Sequence, residues 1–221
     1  MENELKSEGK CWSCSQLFSQ KEISKHLSGH LLKIEKEAST QSPEVYCHIV
    51  VEADLMFLHL LVKGNATMEK IDTFLREIWM ECCGHLSEFR NKNVEIEMSQ
   101  KVKSIFGAKV KFLYAYDFGS TTTVTLKGVK NYNIGNNEDI ILLSRNEPLE
   151  ITCSGCGKKP VVDICIACHY KFYCKSCSAK HKKECEDFKD YAKMPVVNSP
   201  RMGVCGYTGG SIDTERDGIS K

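Results

Sequence analysis

Nine of the thirteen cysteines fall in two tight clusters, and this distribution limits what the chain can fold into more than any other feature. The larger cluster runs CSGC, eight residues, CIAC, five residues, CKSC, three residues, His181, three residues, Cys185, which places eight ligand-type side chains within 33 residues. Inside it, CIACH has the spacing of a c-type haem attachment, and each C-x-x-C pair could be a redox dithiol. Neither reading accounts for three pairs plus a histidine and a further cysteine. Eight soft or borderline ligands at these spacings fit two tetrahedral zinc sites. A segment so short cannot bury enough apolar surface to fold alone, so metal must supply on the order of 10 kcal/mol or more per site.

The ligand order of this cluster resembles the HIT-type zinc finger and, slightly less closely, the MYND finger. In both, alternate pairs share a metal. The resemblance implies one site from Cys153, Cys156, Cys174 and Cys177 and a second from Cys165, Cys168, His181 and Cys185, with His169 left as a loop residue or outer hydrogen-bond donor. Families with such fingers use them mainly to bind other proteins.

The smaller cluster is CWSC, Cys11 and Cys14, followed after eleven residues by His26 and then by His30. Histidines four apart on a helix share a face, so both can meet a metal held by the cysteine hairpin. Ser19 and Glu22 in S-Q-K-E form a capping-box signature, and Phe18, Ile23 and Leu27 supply a small apolar core. The segment resembles a single two-Cys, two-His zinc finger, with one residue fewer between the pairs than the commonest spacing. In fingers that read DNA the base-facing positions would be Ser19, Glu22 and Lys25, but Glu22 is wanted by the cap and one finger covers only about three base pairs. A structural or protein-binding role is the preferred expectation.

Between the clusters the pattern changes to that of an ordinary core. Residues 39 to 44, STQSPE, read as a linker. VYCHIVVEA and MFLHLLVKG, separated by Asp54 and Leu55, read as two strands. From Thr67 to Cys82 the apolar residues Met68, Ile71, Phe74, Leu75, Ile78, Trp79 and Cys82 recur at helical spacing and predict the core helix. VKFLYAYDFG and TTTVTLKGV follow as strands about a turn at Gly119 and Ser120, and DIILLSR is another. The expected class is α+β: a central mixed or antiparallel sheet with one main amphipathic helix, flanked by two small zinc-finger modules. The expected boundaries are 1–38 for the first finger, 45–149 for the α+β domain, 151–190 for the two-zinc finger and 191–221 for an extended tail.

The run LREIWMECCGHLSEF followed by YAYDFGSTT resembles the plasmid ORF-3-like family, also described as passenger proteins of insertion elements, and PVVNSPRMGVCGYTG resembles the tail of its zinc-finger-bearing members. The resemblance implies an α+β domain and an association with mobile elements; it implies no activity.

Charge gives little guidance, with 30 basic and 29 acidic residues. Nine thiolates and three zinc ions would take the balance from +1 to −2, so a whole-protein electrostatic case for nucleic acid fails. Residues 153 to 189 hold eight lysines and four acidic residues, a weak local footprint that keeps nucleic acid open as an alternative partner. No apolar run approaches the roughly eighteen residues of a membrane span, and MENELKSEGK has no signal-type stretch. A cytoplasmic protein is expected, where structural disulfides are disfavoured.

These signals together predict a non-enzymatic zinc-binding interaction protein or adaptor that carries three zinc ions and binds an unidentified protein, with no membrane association. The competing expectation is a metal-dependent hydrolase or nuclease working at His85, Glu88 and Asp117, since a histidine and two carboxylates could hold a catalytic metal if they converged. The plainer account has His85 capping the helix end, Glu88 solvated and Asp117 ordering the hairpin turn, with Cys82 on the buried stripe. No phosphate-cradling glycine loop or serine nucleophile motif is present.

Overall fold

The computed structural model describes residues 5–37, 43–107 and 109–217; most of the expected linker at 39–44 lies outside them. The chain divides into two units, residues 7–75 with 86–147, and residues 1–6 with 76–85 and 148–221.

In the first unit a short hairpin, β1 (Glu8–Lys10) and β2 (Leu17–Ser19), leads into α1 (Gln20–Glu37). β3 (Glu44–Ala53) and β4 (Met56–Lys63) then form an antiparallel pair. The two residues expected between them, Asp54 and Leu55, make the turn, with Asp54 taking the left-handed conformation at φ 52° that short polar side chains tolerate. After α2 (Met68–Leu75) come β5 (Ser87–Asn91), β6 (Val94–Ile96) and α3 (Val102–Ile105). β7 (Lys111–Tyr116), β8 (Thr122–Ile134) and β9 (Ile140–Arg145) complete a seven-stranded sheet in the order β6-β5-β7-β8-β3-β4-β9. Every adjacent pair is antiparallel, which resolves the expected choice between mixed and antiparallel.

β3 and β4 are interior strands and buried almost throughout, so both faces of the sheet are covered there. α1 covers one face: Ile23, Leu27 and Leu31 share a single apolar cluster with Tyr46, Phe57, Leu61, Tyr132, Ile134 and Leu143. The N-terminal finger therefore has no separate core of its own. Backbone hydrogen bonds from Trp12 N to Leu143 O at 3.0 Å and from Glu147 N to Glu8 O at 2.8 Å fix it to the β9 end. Gly9 lies so close to the sheet that a Cβ there would stand 2.6 Å from Phe57 Cζ and 2.7 Å from Ser144 Oγ.

The expected core helix is divided. α2 buries Met68, Ile71 and Leu75, and from Arg76 to Met80 the chain adopts a π-helical turn that buries Ile78, Trp79 and Met80 in the second unit. The wider turn is marked by Glu81 N bonding Arg76 O, five residues back, at 2.9 Å.

The rest of the second unit comprises β10 (Asp163–Cys165), β11 (Lys171–Tyr173), α4 (Lys175–Glu184), α5 (Glu186–Asp190) and β12 (Lys193–Pro195). Its three strands pair antiparallel in the order β11-β10-β12. The segment expected as an extended tail has little regular structure but packs closely. Val197, Ser199, Arg201 and Tyr207 are buried; Ser199 Oγ donates to Trp79 O at 2.6 Å, and Ser211 N donates to Glu77 O at 2.7 Å. Gly210 is needed at that crossing, because a Cβ would lie 2.5 Å from the carbonyl oxygens of Glu77 and Ile78.

Candidate metal centres

Four groups of cysteine and histidine side chains are assembled, and within each group the ligand atoms all lie within 4.8 Å of one another. Each group could hold a metal ion.

The first group is Cys11, Cys14, His26 and His30. The β1–β2 hairpin closes the cysteine knuckle, with Cys11 N bonding Gln16 O at 2.9 Å, and α1 presents both histidines. Cys14 Sγ is 3.3 Å from His26 Nε2, and His26 Nε2 is 3.2 Å from His30 Nε2. Phe18 stacks on His26 at 3.9 Å and Trp12 meets His30 edge-on, which holds the two rings in place. Ser19 does not form the expected capping box with the backbone. Its hydroxyl donates directly to Glu22 Oε2 at 2.6 Å.

In the C-terminal finger the groups are Cys153, Cys156, Cys174 and Cys177, and Cys165, Cys168, His181 and Cys185. These are the interleaved sets that the finger resemblance implies. Each C-x-x-C forms a knuckle, as where Gly157 N bonds Cys153 O at 2.7 Å, and Gly155 N and Cys174 N lie 3.4 and 3.2 Å from Cys153 Sγ. β11 and α4 supply Tyr173 and His181, whose rings stack at 4.4 Å, and Phe188 of α5 closes on both. His181 Nε2 is buried without a hydrogen-bond partner among the described residues, a state a metal ligand would leave. His169 stands outside both groups at φ 52°, in the turn before β11.

The fourth group, Cys82, Cys83, His85 and Cys205, was not expected from the sequence. Cys83 Sγ lies 3.5 Å from Cys82 Sγ, 3.7 Å from Cys205 Sγ and 2.9 Å from His85 Nε2, which is 3.3 Å from Cys205 Sγ. Gly84, at φ 78°, allows the sharp turn between two ligands. Glu81 stabilises that turn, accepting from Gly84 N at 2.5 Å and from Arg76 Nη1 at 2.8 Å, while Arg76 Nη2 donates to His85 O at 2.8 Å. The buried Arg201 brings a guanidinium nitrogen 3.4 Å from Cys82 Sγ. Cys205, at φ 49° in the C-terminal segment, closes the group from 120 residues away.

The spacings test whether zinc fits. A tetrahedral ion with metal–sulfur bonds of about 2.3 Å separates its sulfurs by roughly 3.8 Å, and mixed sulfur–nitrogen edges are a few tenths shorter. The observed sulfur pairs at 3.9, 3.8 and 3.7 Å match the sulfur edge and the sulfur–nitrogen pairs at 3.3 Å fall near the mixed one, while in the fourth group Cys82–Cys83 at 3.5 Å and Cys83–His85 at 2.9 Å are tighter. The electrostatics point the same way. Cys174 is pulled down to about 6, first by the Ser176 hydroxyl, while Cys177 is pushed up to about 12, first by its hydrogen bond with Cys153. Thiols crowded together resist ionising in company, and a divalent cation at the centre removes that conflict.

The expected three sites thus become four groups. His85 belongs with three cysteines, and its ring is engaged there. Glu88 pairs with Arg90 at 2.5 Å, and Asp117, at φ 65°, accepts from Gly119 N at 2.9 Å and Ser120 N at 3.1 Å to order the β7–β8 turn. Cys82 is half-buried and joins the group instead of extending an apolar stripe. The available signal was C-C-x-H with a lone cysteine left over in the glycine-rich GVCGYTGG. Among the described residues no helix is long and apolar enough to cross a membrane.

No family model and no curated protein matches the chain. Among solved structures, a crystal structure of a protein of unknown function from Methanosarcina mazei Go1 is similar with a TM-score of 0.37 at 16% identity, covering 47% of this chain and 68% of that one.

Proposed function

We propose that this chain is a zinc-binding, non-enzymatic interaction protein of the cytoplasm, with zinc in all four groups and a protein as its partner. The observation that carries the reading is that every group brings four cysteine or histidine ligand atoms within 4.8 Å of one another. Structural zinc sites are filled in this way, whereas catalytic ones keep a position for water or substrate. Protein contact is supported by the two-metal finger, which leaves Val162, Tyr170 and Tyr191 exposed beside its metal groups. Exposed aromatic side chains are the usual anchors of protein interfaces. The resemblance to the plasmid ORF-3-like family adds an association with mobile elements to the proposal.

Elemental analysis of the full chain, purified under reducing conditions, should return four zinc ions. Capture experiments with Tyr170→Ala and Tyr191→Ala should lose a partner that the unaltered chain retains. A count of two or fewer, or hydrolysis of phosphodiesters that follows zinc loading and survives loss of the finger tyrosines, would sink the reading.

A further inference from the structure

The four metal groups are not equally shielded from solvent. Each of three contains at least one cysteine that is sealed off: Cys11 at 1% exposure, Cys153 and Cys174 at 2%, and Cys165 at 0%. In the group of Cys82, Cys83, His85 and Cys205 no ligand is buried, and Cys83 and Cys205 are exposed. Zinc has no redox chemistry of its own, so an oxidant that reaches such a group acts on its sulfurs. Oxidation of a sulfur follows its thiolate character and its access, and a second sulfur beside it carries the product on to a disulfide.

Geometry selects which sulfurs pair. Cys82 and Cys83 are neighbours in sequence, so their Cα atoms stand about 3.8 Å apart, below the roughly 4.4 Å at which ordinary disulfides begin. Cys82 is also half-buried, with a guanidinium nitrogen of the buried Arg201 3.4 Å from its sulfur. Cys83 and Cys205 meet no such obstacle. Their sulfurs are 3.7 Å apart, and turning the two side chains is enough to reach an S–S bond of about 2.05 Å. The backbone around Cys205 is held in place for this, with Val204 N bonding Arg201 O at 3.1 Å, Tyr207 N bonding Val204 O at 2.9 Å, and both Arg201 and Tyr207 buried.

We propose that Cys83 and Cys205 are a site of oxidative modification: hydrogen peroxide converts them to a disulfide and expels zinc from this group alone, which makes it the oxidant-responsive centre among the four. The inference rests on the reading that all four groups hold zinc. In the first step the Cys83 thiolate attacks peroxide; an S–O bond forms, the O–O bond breaks, and the departing hydroxide takes a proton to become water. In the second the Cys205 thiolate attacks the sulfenic sulfur; the S–S bond forms, the S–O bond breaks, and a second protonated hydroxide leaves as water. Two thiolates, one peroxide and two protons thus give one disulfide and two waters, with two electrons passing from sulfur to oxygen. Only Cys82 and His85 then remain for the metal, too few for a structural zinc site. The thiolate left on Cys82 keeps the Arg201 guanidinium as its counter-charge. The disulfide also preserves the tie between the C-terminal segment and the turn after the π-helix, so zinc leaves without the segment coming away.

The test is a titration of full-length, zinc-loaded, reductant-free protein with hydrogen peroxide, in which an indicator dye reads released zinc and mass spectrometry of alkylated peptides maps disulfides. The first equivalent should release one ion at least about tenfold faster than any other and yield the Cys83–Cys205 disulfide. Dithiothreitol and added zinc should restore all four ions. Cys205→Ser, holding three ions, should release none at that dose, and Cys83→Ser gives the same reading should the first variant fold poorly. With four ions at the start, earlier release from the fingers or a first disulfide between other cysteines would overturn the proposal and leave the four-zinc reading intact. Three ions at the start, unchanged by Cys205→Ser, would remove the fourth ion and the proposal together.

Discussion

His48 and His59 are residues whose chemistry the fold alters strongly. Buried side by side, they stay neutral with pKa values pushed down to about 4 and about 3, against 6.5 in an unperturbed chain. As pH falls through about 6.5 the unfolded chain takes up two protons that the native state refuses, so the native advantage is complete above that point and lost below it. The expected loss is up to about 1.4 kcal/mol per pH unit for each histidine, down to about pH 4. Urea unfolding of the full chain between pH 7 and 5 should show this slope, and His48→Leu/His59→Leu should flatten it; equal slopes would dismiss the account. A second residue-scale expectation concerns Gly9, where Gly9→Ala pushes a methyl group into Phe57 and Ser144 and should cost about 1–3 kcal/mol by the same unfolding measurement. Neither effect was legible in the sequence. His48 and His59 read as ordinary members of apolar strands, and only register makes them diagonal neighbours on one face of the sheet. The ligands of the three expected groups were legible because C-x-x-C and helical H-x-x-x-H spacing encode geometry locally, while Cys205 is joined to His85 only by the tertiary fold.

At the level of elements, α1 has two roles, presenting His26 and His30 near its middle and burying Ile23, Leu27 and Leu31 against the sheet. Three such side chains contribute roughly 1.5–3 kcal/mol each, together comparable to the whole stability of an ordinary domain. Leu27→Ala should therefore cost about 2–5 kcal/mol and lower the melting temperature of the sheet, not of the finger alone. A shortened chain starting at residue 43 should expose Tyr46, Phe57 and Leu61 and aggregate; a soluble truncated form with native sheet signals would refute this. Strands β3, β4, β7, β8 and β9 were legible from their apolar runs. β5 and β6 were not, because SEFRN and VEI are short and mostly polar at the sheet edge, where pairing and not hydrophobic period defines a strand. The expected helix from Thr67 to Cys82 has the right apolar stripe, but periodicity could not show that the stripe serves two cores.

Across the whole molecule, apolar burial and the candidate metal groups are divided unevenly. The seven-stranded sheet buries a large core, whereas the three-residue strands β10, β11 and β12 depend on the groups between them. A strong chelator should therefore unfold residues 153–190 first, read as loss of amide protection there while β3, β4 and β8 stay protected. In a zinc count, Cys83→Ser and Cys205→Ser should each remove one ion of four, and Cys47→Ala, buried in β3 outside every group, should remove none. Equal counts in all three would dissolve the fourth centre. The span of that centre also ties it to the order of synthesis. Cys82, Cys83 and His85 leave the ribosome long before Cys205, and at about 5–20 residues per second the 122 residues separating Cys83 from Cys205 take roughly six to twenty-five seconds to make. Until then a vicinal thiol pair waits one ligand short of the group that we propose holds zinc. The last ligand to arrive thus reports that the sheet and the two-metal finger have both been made, and a chain stopped short of Cys205 would carry an open, reactive three-ligand site by which quality control could tell it from one synthesised past that point.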